Sequence, residues 1–533
     1  MGKAYALTFA EAGADVAVAD VVANDGMLDS VAKQIRKCGR RSLAGQVDIS
    51  KKTDINSFIR EVMAEFGTID IWANVAVRYH SSGLLSLNEQ DWDVLTDTNL
   101  KGYWLACQAI APIMVERKKG SIINMTSQAG VEMENYGQKN YVNSDTDMTA
   151  SIQRVESGLV PFGEGLQPQW NERAELTDRM RHYSVPGVSY AVIEGYEIAW
   201  AEGHGTLRSD GDTHVTSMTL FHAGSNAKLV SAAASLKLVQ QGRLALDEDV
   251  NDRLRSWHIP DGEFTQYEKV TLRRLLSHSG GLEDGFTNRS SGDPVPKYFT
   301  PAGVAPSVTI QQLLDAEPGI DVDGPTRVTV IPGSQYRYAN ADYAILELLI
   351  RDVTDKPFPT FMRETILRPL GMSSSTYEQP LPPDLRARAA IEHDHSGEAF
   401  AGDRLHVPLL AAGSLWTTPS DMARFIIEMM DNYRGKSRRI LSRTMASEMF
   451  SKQIEIHQDP LADAAGLGFQ LSGKGKDLCV VHTGGTWGST SIVCAYPETG
   501  QGAIIMTNSA TGSLLRIEIL LGIARAFGWP LEP

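Results

Sequence analysis

Apolar positions along this chain follow two different textures, and one gives way to the other near residue 155. Over the first 125 or so residues, short apolar runs take turns with segments whose apolar positions fall three and four apart. DVAVADV from Asp15, SLAGQVDI ending at Ile49, IDIWANVAV from Ile69 and GSIINMTS from Gly120 predict strands. Asn24 to Arg36, Ile55 to Phe66 and Leu100 to Arg117 predict helices. Strands alternating with helices of that length require right-handed crossovers, and hence an α/β arrangement with a parallel sheet covered on both faces.

Between Tyr136 and Trp170 the pattern lapses into a polar stretch interrupted by Gly and Pro, which places a domain junction near Val155. Beyond Trp170 the texture is different. A short helix (Glu172 to Tyr183) leads into VSYAVIEGYEIAWAEGHG, which alternates like a hairpin. A helix is expected from Ser225 to Gln241, stopped by Gly242 at a C-cap position. Pro- and Gly-rich stretches follow, and the last 60 or so residues return to strands (LCVVHTGG, TSIVCAYPE, GAIIMTNS) before a final helix. A hairpin first, helices in the middle and antiparallel strands last predict an α+β domain whose sheet is closed by both ends of the segment. The expected division is residues 1–150, a linker over 151–168, and a second domain over 169–533.

Composition narrows the function classes. With 533 residues, 42% hydrophobic and 22% charged, the chain has the make-up of an ordinary globular protein of several domains. A net charge of −15 argues against a nucleic-acid binder and against affinity for anionic membranes. No stretch approaches the roughly 18 apolar residues of a membrane span, and no basic segment followed by an apolar run opens the chain. Cys38, Cys107, Cys479 and Cys494 are scattered without a C-x-x-C pair, so free thiols in a cytoplasmic, reducing setting are expected. His393-Asp394-His395 has the residue types of a metal site. No further ligand is spaced to complete it, so no metal is expected.

The candidate chemistry begins at Ser225-Asn226-Ala227-Lys228. On a helix, positions i and i+3 share a face, so the Lys amine lies over the Ser hydroxyl. The Ser sits at the helix N-terminus, where unpaired N–H groups and the dipole favour negative charge. A desolvated Lys there can give up its proton and serve as base. The tetrapeptide alone is weak evidence, since Ser30-Val31-Ala32-Lys33 repeats it along a surface helix. Ser225 is distinguished by its company. Tyr338-Ala339-Asn340 follows about 110 residues on, and His482-Thr483-Gly484-Gly485 about 140 further, at a strand.

In order and spacing these three elements resemble the S-x-x-K, Y-x-N and K-T-G motifs of serine β-lactamases and penicillin-recognising enzymes. The resemblance is closest to the class C branch, with its family VIII esterases and D-amino-acid peptidases. Framing segments extend it, including VPGVSYAV at Val185, LLSHSGGL at Leu275, PGSQYRYAN at Pro332, LRPLGM at Leu367 and AGSLWTTPSDMARF at Ala412. It implies a β-lactamase/transpeptidase-like fold, an antiparallel sheet flanked by helices with an all-helical subdomain. It also implies Ser225 as nucleophile, with Lys228 and Tyr338 moving the proton. The N–H groups of Ser225 and Gly485 would form an oxyanion hole, with Asn340, His482 and Gly484 lining the substrate site. Tyr338 also reads as a half-buried strand aromatic, Asn340 as the N-cap of the following helix, and Trp487 as either a pocket wall or core. One departure matters: His482 stands where penicillin-binding members carry Lys. A mostly neutral imidazole in place of a permanent cation shifts the expected substrate from β-lactams toward neutral esters or amides.

The N-terminal part resembles a short-chain dehydrogenase/reductase, a Rossmann-like fold. Asp20 ends the second family strand, Asp48, Asn74 and Asn99 match further family positions, and Ser127 and Tyr141 stand near the catalytic Ser and Tyr. The departures are substantial. The sequence opens at Met1-Gly2-Lys3, matching the tail of the glycine-rich phosphate loop. Asp145 replaces the Lys expected four residues after the Tyr, reversing the charge that would lower the Tyr pKa. The segment is therefore expected to bind no dinucleotide, and the protein to use no cofactor. Its exposed sheet edges are expected to be covered by contact with the hydrolase domain or by self-association. Three readings follow for the whole chain: a serine hydrolase acting on a small-molecule ester or amide, an acyltransferase on the same scaffold, or a non-catalytic interaction protein built on two degenerate enzymes. The intact Ser225/Lys228/Tyr338 set weighs against the last.

Overall fold

The computed structural model describes residues 2–22, 26–78, 88–124, 145–162, 169, 172–283, 286, 298–301, 308–320, 322–400 and 402–529. It divides into two compact units, Met1–Val142 and Asn143–Pro533. The first unit runs α1 (Gly2–Glu11), β1 (Val16–Asp20), α2 (Met27–Lys37), β2 (Ser42–Gln46), α3 (Lys52–Phe66), β3 (Ile71–Asn74), α4 (Glu89–Thr96), α5 (Tyr103–Glu116) and β4 (Ser121–Asn124). β1 pairs with β2 and β3 with β4, both in parallel, as the alternation of strands and helices predicts. The long helix expected from Leu100 begins differently: Asp97–Gly102 is one turn of π-helix, and regular α-helix starts at Tyr103.

The second unit opens with α6 (Asp145–Glu156) and α7 (Leu176–His182), followed by β5 (Gly187–Glu194) and β6 (Glu197–Gly205). The β5–β6 turn is Gly195-Tyr196, both at positive φ (60° and 70°), the signature of the two-residue hairpin whose twist suits its strands. The strands that close the chain are β7 (Ile454–Asp459), β8 (Ala462–Ala465), β9 (Gln470–Ser472), β10 (Cys479–Gly485), β11 (Thr490–Tyr496) and β12 (Gln501–Thr507). They meet the first hairpin in one eight-stranded antiparallel sheet of order β7-β8-β9-β10-β11-β12-β5-β6. Pairing of Gly502 through Thr507 with Ile193 through Val188 joins the two ends of the domain.

Period-2 alternation sends the central strands' side chains into two cores. Ala191 and Ile193 of β5 join Val480, Val493 and Ile504 on the helical-subdomain side. Tyr190 and Val192 join Val481, Ile492 and Ile505 on the other, under α6, α7 and the C-terminal helix. At the centre of the first core lies α8 (Ala227–Gln240), AKLVSAAASLKLVQ, buried around nearly its whole circumference. A helix apolar on every face belongs inside, and its Ala and Ser residues let neighbours approach closely. The α-helix starts two residues later than expected, because Gly224–Asn226 forms a 3-10 turn; it ends as expected, with Gly242 left-handed at φ 68°. Further along the chain lie the helices α9 (Asn340–Thr354), α10 (Pro419–Arg434) and α11 (Ser513–Phe527).

The expected boundary at residue 150 and linker over 151–168 differ from the division by contacts. The structure divides the chain at 142/143 and packs α6 on α11. Val155 is 1% exposed, Leu159 is fully buried, and Leu159 forms a bridge with Ala174. These are core residues of the second unit. A chain beginning at Leu159 is therefore expected to melt about 3 °C below one beginning at Asn143. Burying one Val alone contributes about 1.5–3 kcal/mol, and each kcal/mol moves Tm by about 2–4 °C at best in a domain of this size. Equal melting temperatures by calorimetry would return α6 to the linker.

Candidate active site

Gly224 brings the turn carrying Ser225 against β10. A Cβ at this position, where φ is 54°, would lie 2.5 Å from the Gly485 nitrogen, so backbone meets backbone there. β10 answers with Gly484, whose added Cβ would lie 2.1 Å from the Ala223 carbonyl oxygen and 2.3 Å from Ser491 Oγ. Gly485, by contrast, is exposed and faces open space. The contact is tied by Asn226 Nδ2 donating to Ser491 Oγ (2.8 Å) and Ser491 Oγ donating to Ala223 O (2.8 Å). Arg516 of α11 donates to the carbonyls of Gly484 (2.6 Å) and Ser491. Burial pushes this guanidinium down to about 10.

Two groups converge on the Ser225 hydroxyl, one from three residues away and one from 113 residues along the chain. Lys228, one turn along and fully buried, places Nζ 3.2 Å from Ser225 Oγ. The same Nζ donates to Asn340 Oδ1 (2.8 Å) and to Ala412 O (2.7 Å). Tyr338 OH donates to Ser225 Oγ at 2.8 Å, and the lysine nitrogen lies 5.0 Å from the centre of its ring. Asn340 is not the cap of its helix: Ala339 occupies the N-cap position of α9, and the Asn340 side chain is turned to the lysine.

His482, on β10, is 3% exposed and donates from Nδ1 to Thr483 O at 2.7 Å. Burial first, then the nearby charges of Lys228 and Arg516, lower its pKa from 6.5 to about 3 against the pull of the Thr483 carbonyl. The imidazole is neutral throughout the working range of pH, which strengthens the contrast with a permanent lysine cation. The unfolded chain takes up a proton near pH 6.5 and the folded one only near pH 3, so this residue costs stability as pH falls between those values. His482→Gln is expected to reduce the loss of stability between pH 6.5 and 4.5 by about 2 kcal/mol, read from urea unfolding at both pH values. An unchanged loss would show that the ring is charged in the folded state.

Two groups around this centre escaped the sequence reading. His278, within the LLSHSGGL segment, lies directly under Tyr338 with ring centroids 4.3 Å apart. Glu392, 1% exposed, accepts from Thr486 Oγ1 (2.8 Å), Ser489 Oγ (3.2 Å) and Leu405 N (2.8 Å) and faces His222 Nδ1 at 3.2 Å. Burial pushes the Glu392 carboxyl up, but His222 and these donors outweigh it and leave the pKa below the usual value. The network pins the β10–β11 turn that carries Trp487, whose ring meets Phe299 edge-on at 4.6 Å. Of the two histidines with metal-site character, His393 is held by the backbone. His393 is fully buried, accepting from Ser209 N through Nε2 and contacting Asn508 O through Nδ1.

The dehydrogenase positions sit within the first unit. Asp20 accepts from Val22 N. Asp48 accepts from Ser50 Oγ at 2.6 Å, a bond that holds its carboxyl below the usual range. Asn74 donates to Asn124 Oδ1 (2.7 Å), and Asn99 grips both backbone groups of Arg78 at 2.8 Å. Ser127 and Tyr141 lie outside the described residues. The decoy Ser30 is exposed in mid-helix, with Gln34 Nε2 donating to it.

Known proteins show the same two parts. Residues 1–153 match the short chain dehydrogenase family. Over 142 residues the chain is 37% identical to the 3-oxoacyl-[acyl-carrier-protein] reductase FabG of Staphylococcus epidermidis, spanning 27% of this chain and 57% of that protein. The second unit has the fold of a D-amino acid amidase from Ochrobactrum anthropi SV3 (TM-score 0.53, 24% identity, covering 72% of this chain and 98% of the other). It also has the fold of an octameric penicillin-binding protein homologue from Pyrococcus abyssi (TM-score 0.53, 22% identity, 66% and 76% covered). No helix among the described residues is long and apolar enough to cross a membrane. Residues 173–523, well over half of the sequence and including every group gathered around Ser225, match the family described as Beta-lactamase, and the chain belongs to that family.

Proposed function

We propose that the second unit is a serine hydrolase that cleaves small esters or amides through a covalent acyl-enzyme on Ser225. The observation that carries this reading is the double approach to one hydroxyl, from Lys228 Nζ at 3.2 Å and Tyr338 OH at 2.8 Å. A serine is a poor nucleophile until a neighbouring base takes its proton. Lys228 in its neutral form takes that proton as Oγ attacks the carbonyl carbon. Tyr338, bridging hydroxyl and solvent side, passes a proton to the departing alkoxide or amine. The same pair then draws a proton from the water that releases the acid. Asn340 and the Ala412 carbonyl hold the amine at its post. The Ser225 and Gly485 N–H groups, brought together by Gly224, receive the charge that develops on the carbonyl oxygen.

Substrate preference follows from His482. A neutral, buried ring offers no counter-charge to a carboxylate, so neutral esters are favoured over β-lactams. Hydrolysis of p-nitrophenyl acetate or butyrate is expected to exceed that of a chromogenic cephalosporin by at least about tenfold in kcat/KM, or about 1.4 kcal/mol of transition-state stabilisation. His482→Lys should narrow the difference. Equal kcat/KM for the two substrate classes would overturn the preference while leaving the nucleophile in place.

A further inference from the structure

We propose that His278, anchored by Asp342, is a positioning residue that sets the place of the Tyr338 phenol over Ser225; the inference rests on the hydrolase reading above. His278 is bonded or packed to Tyr338 and to both of its chain neighbours. Its carbonyl accepts from Arg337 N (2.7 Å), its ring lies under the Tyr338 ring at 4.3 Å and 35°, and its Nδ1 lies 3.3 Å from Ala339 N. The shorter approach to Nδ1 is Asp342 Oδ2 at 2.8 Å, in the first turn of α9 and two residues after Asn340. One side chain thus braces the loop carrying Tyr338 against the helix start carrying Asn340. These are the two groups that define the position of Ser225 Oγ and Lys228 Nζ.

The local chain is built for this contact. His278 holds a left-handed backbone, φ 53°, that few side chains adopt and that persists only where the surroundings determine it. The two glycines that follow make room. A Cβ on Gly280 would lie 2.9 Å from Asp342 Oδ1, and one on Gly281, at φ 73°, would lie 2.3 Å from the Val330 carbonyl oxygen. The ring is 5% exposed as a residue, and its Nε2 has no hydrogen-bond partner. Burial and the facing Lys228 and His482 keep it from taking up a proton. It therefore acts through shape and the Asp342 bond, without carrying protons itself. An error of about 1 Å in the phenol position is enough to cost on the order of a hundredfold in rate.

The test is a double-substitution cycle on the full chain. His278→Asn removes the ring and keeps a residue that tolerates the left-handed backbone. It is expected to slow acylation of Ser225 by a fluorophosphonate at least tenfold, with KM for p-nitrophenyl butyrate changed less than threefold. In a Tyr338→Phe background the same change should cost less than twofold, because the phenol it positions is already gone. Asp342→Asn, which weakens the anchor and spares the ring, should give the same pattern at smaller size. A loss of equal size in both backgrounds would overturn the proposal and leave His278 a packing residue. A second readout needs no activity. 3-Fluorotyrosine at position 338 should give one narrow fluorine resonance in the parent protein and a broadened or divided one in His278→Asn. An unchanged resonance overturns the positioning role, whereas absence of labelling in the parent protein would overturn the hydrolase reading alone.

Discussion

Ser225→Ala is expected to abolish both fluorophosphonate labelling and ester turnover, lowering kcat by at least about 10^4-fold. The hydroxyl is the atom on which Lys228 Nζ and Tyr338 OH converge. Stability should change little, since the hydroxyl is half-buried and sits in a 3-10 turn already fitted to Gly485. Ser30→Ala is the matched control. Its serine belongs to the same tetrapeptide pattern but lies exposed in mid-helix, bonded by Gln34. It should leave labelling and turnover intact. Labelling that survived Ser225→Ala and vanished with Ser30→Ala would transfer the nucleophile to the other unit.

Lys228→Met should remove activity almost as completely, by about 10^3-fold or more, while leaving the fold standing. Met preserves most of the volume inside α8 but deletes the amine. The acceptors Asn340 Oδ1 and Ala412 O then face a thioether. Leaving buried acceptors unsatisfied costs about 1–3 kcal/mol, and taking a fully buried amine out of an apolar helix offsets part of that cost. The expected result is a melting temperature within a few degrees of the parent alongside the loss of turnover. A variant that kept a tenth of the parent kcat at pH 8 would show that Tyr338 alone is a sufficient base. Global unfolding would show instead that the amine is structural before it is chemical.

Much of the architecture could be read from periodicity. β5 is buried along almost its whole length because both of its faces are covered, and β10, β11 and β12 share that trait. The Gly195-Tyr196 turn and the Gly242 stop follow from backbone conformations that few residues adopt. Elements ended where the local rule had a competitor. The α-helix expected from Ser225 yields its first turn to 3-10 geometry because Gly224 must hold that turn against Gly485. Asn340 looked like a cap because Asn caps helices well, yet its amide oxygen bonds Lys228, 112 positions away in the chain. The polar stretch near Val155 looked like a linker because α6 buries its apolar side against α11, more than 350 residues on.

By itself, then, the sequence singled out Ser225, Lys228 and Tyr338 as candidate nucleophile and its two attendants, through their order and spacing, and it indicated the strands that open and close the second unit. These are local properties: a residue type at a helical offset, a period of two, a glycine at a turn. Tertiary structure alone decided the rest. It made Ala412 O the third partner of Lys228, buried His482 so that its pKa falls to about 3, and placed His278, bonded to Asp342, beneath the Tyr338 phenol. Each of those depends on desolvation or on contacts between segments far apart in the chain. Neither has a signature in any short window of sequence, because the water is expelled, and the partner arrives, only when the chain closes on itself.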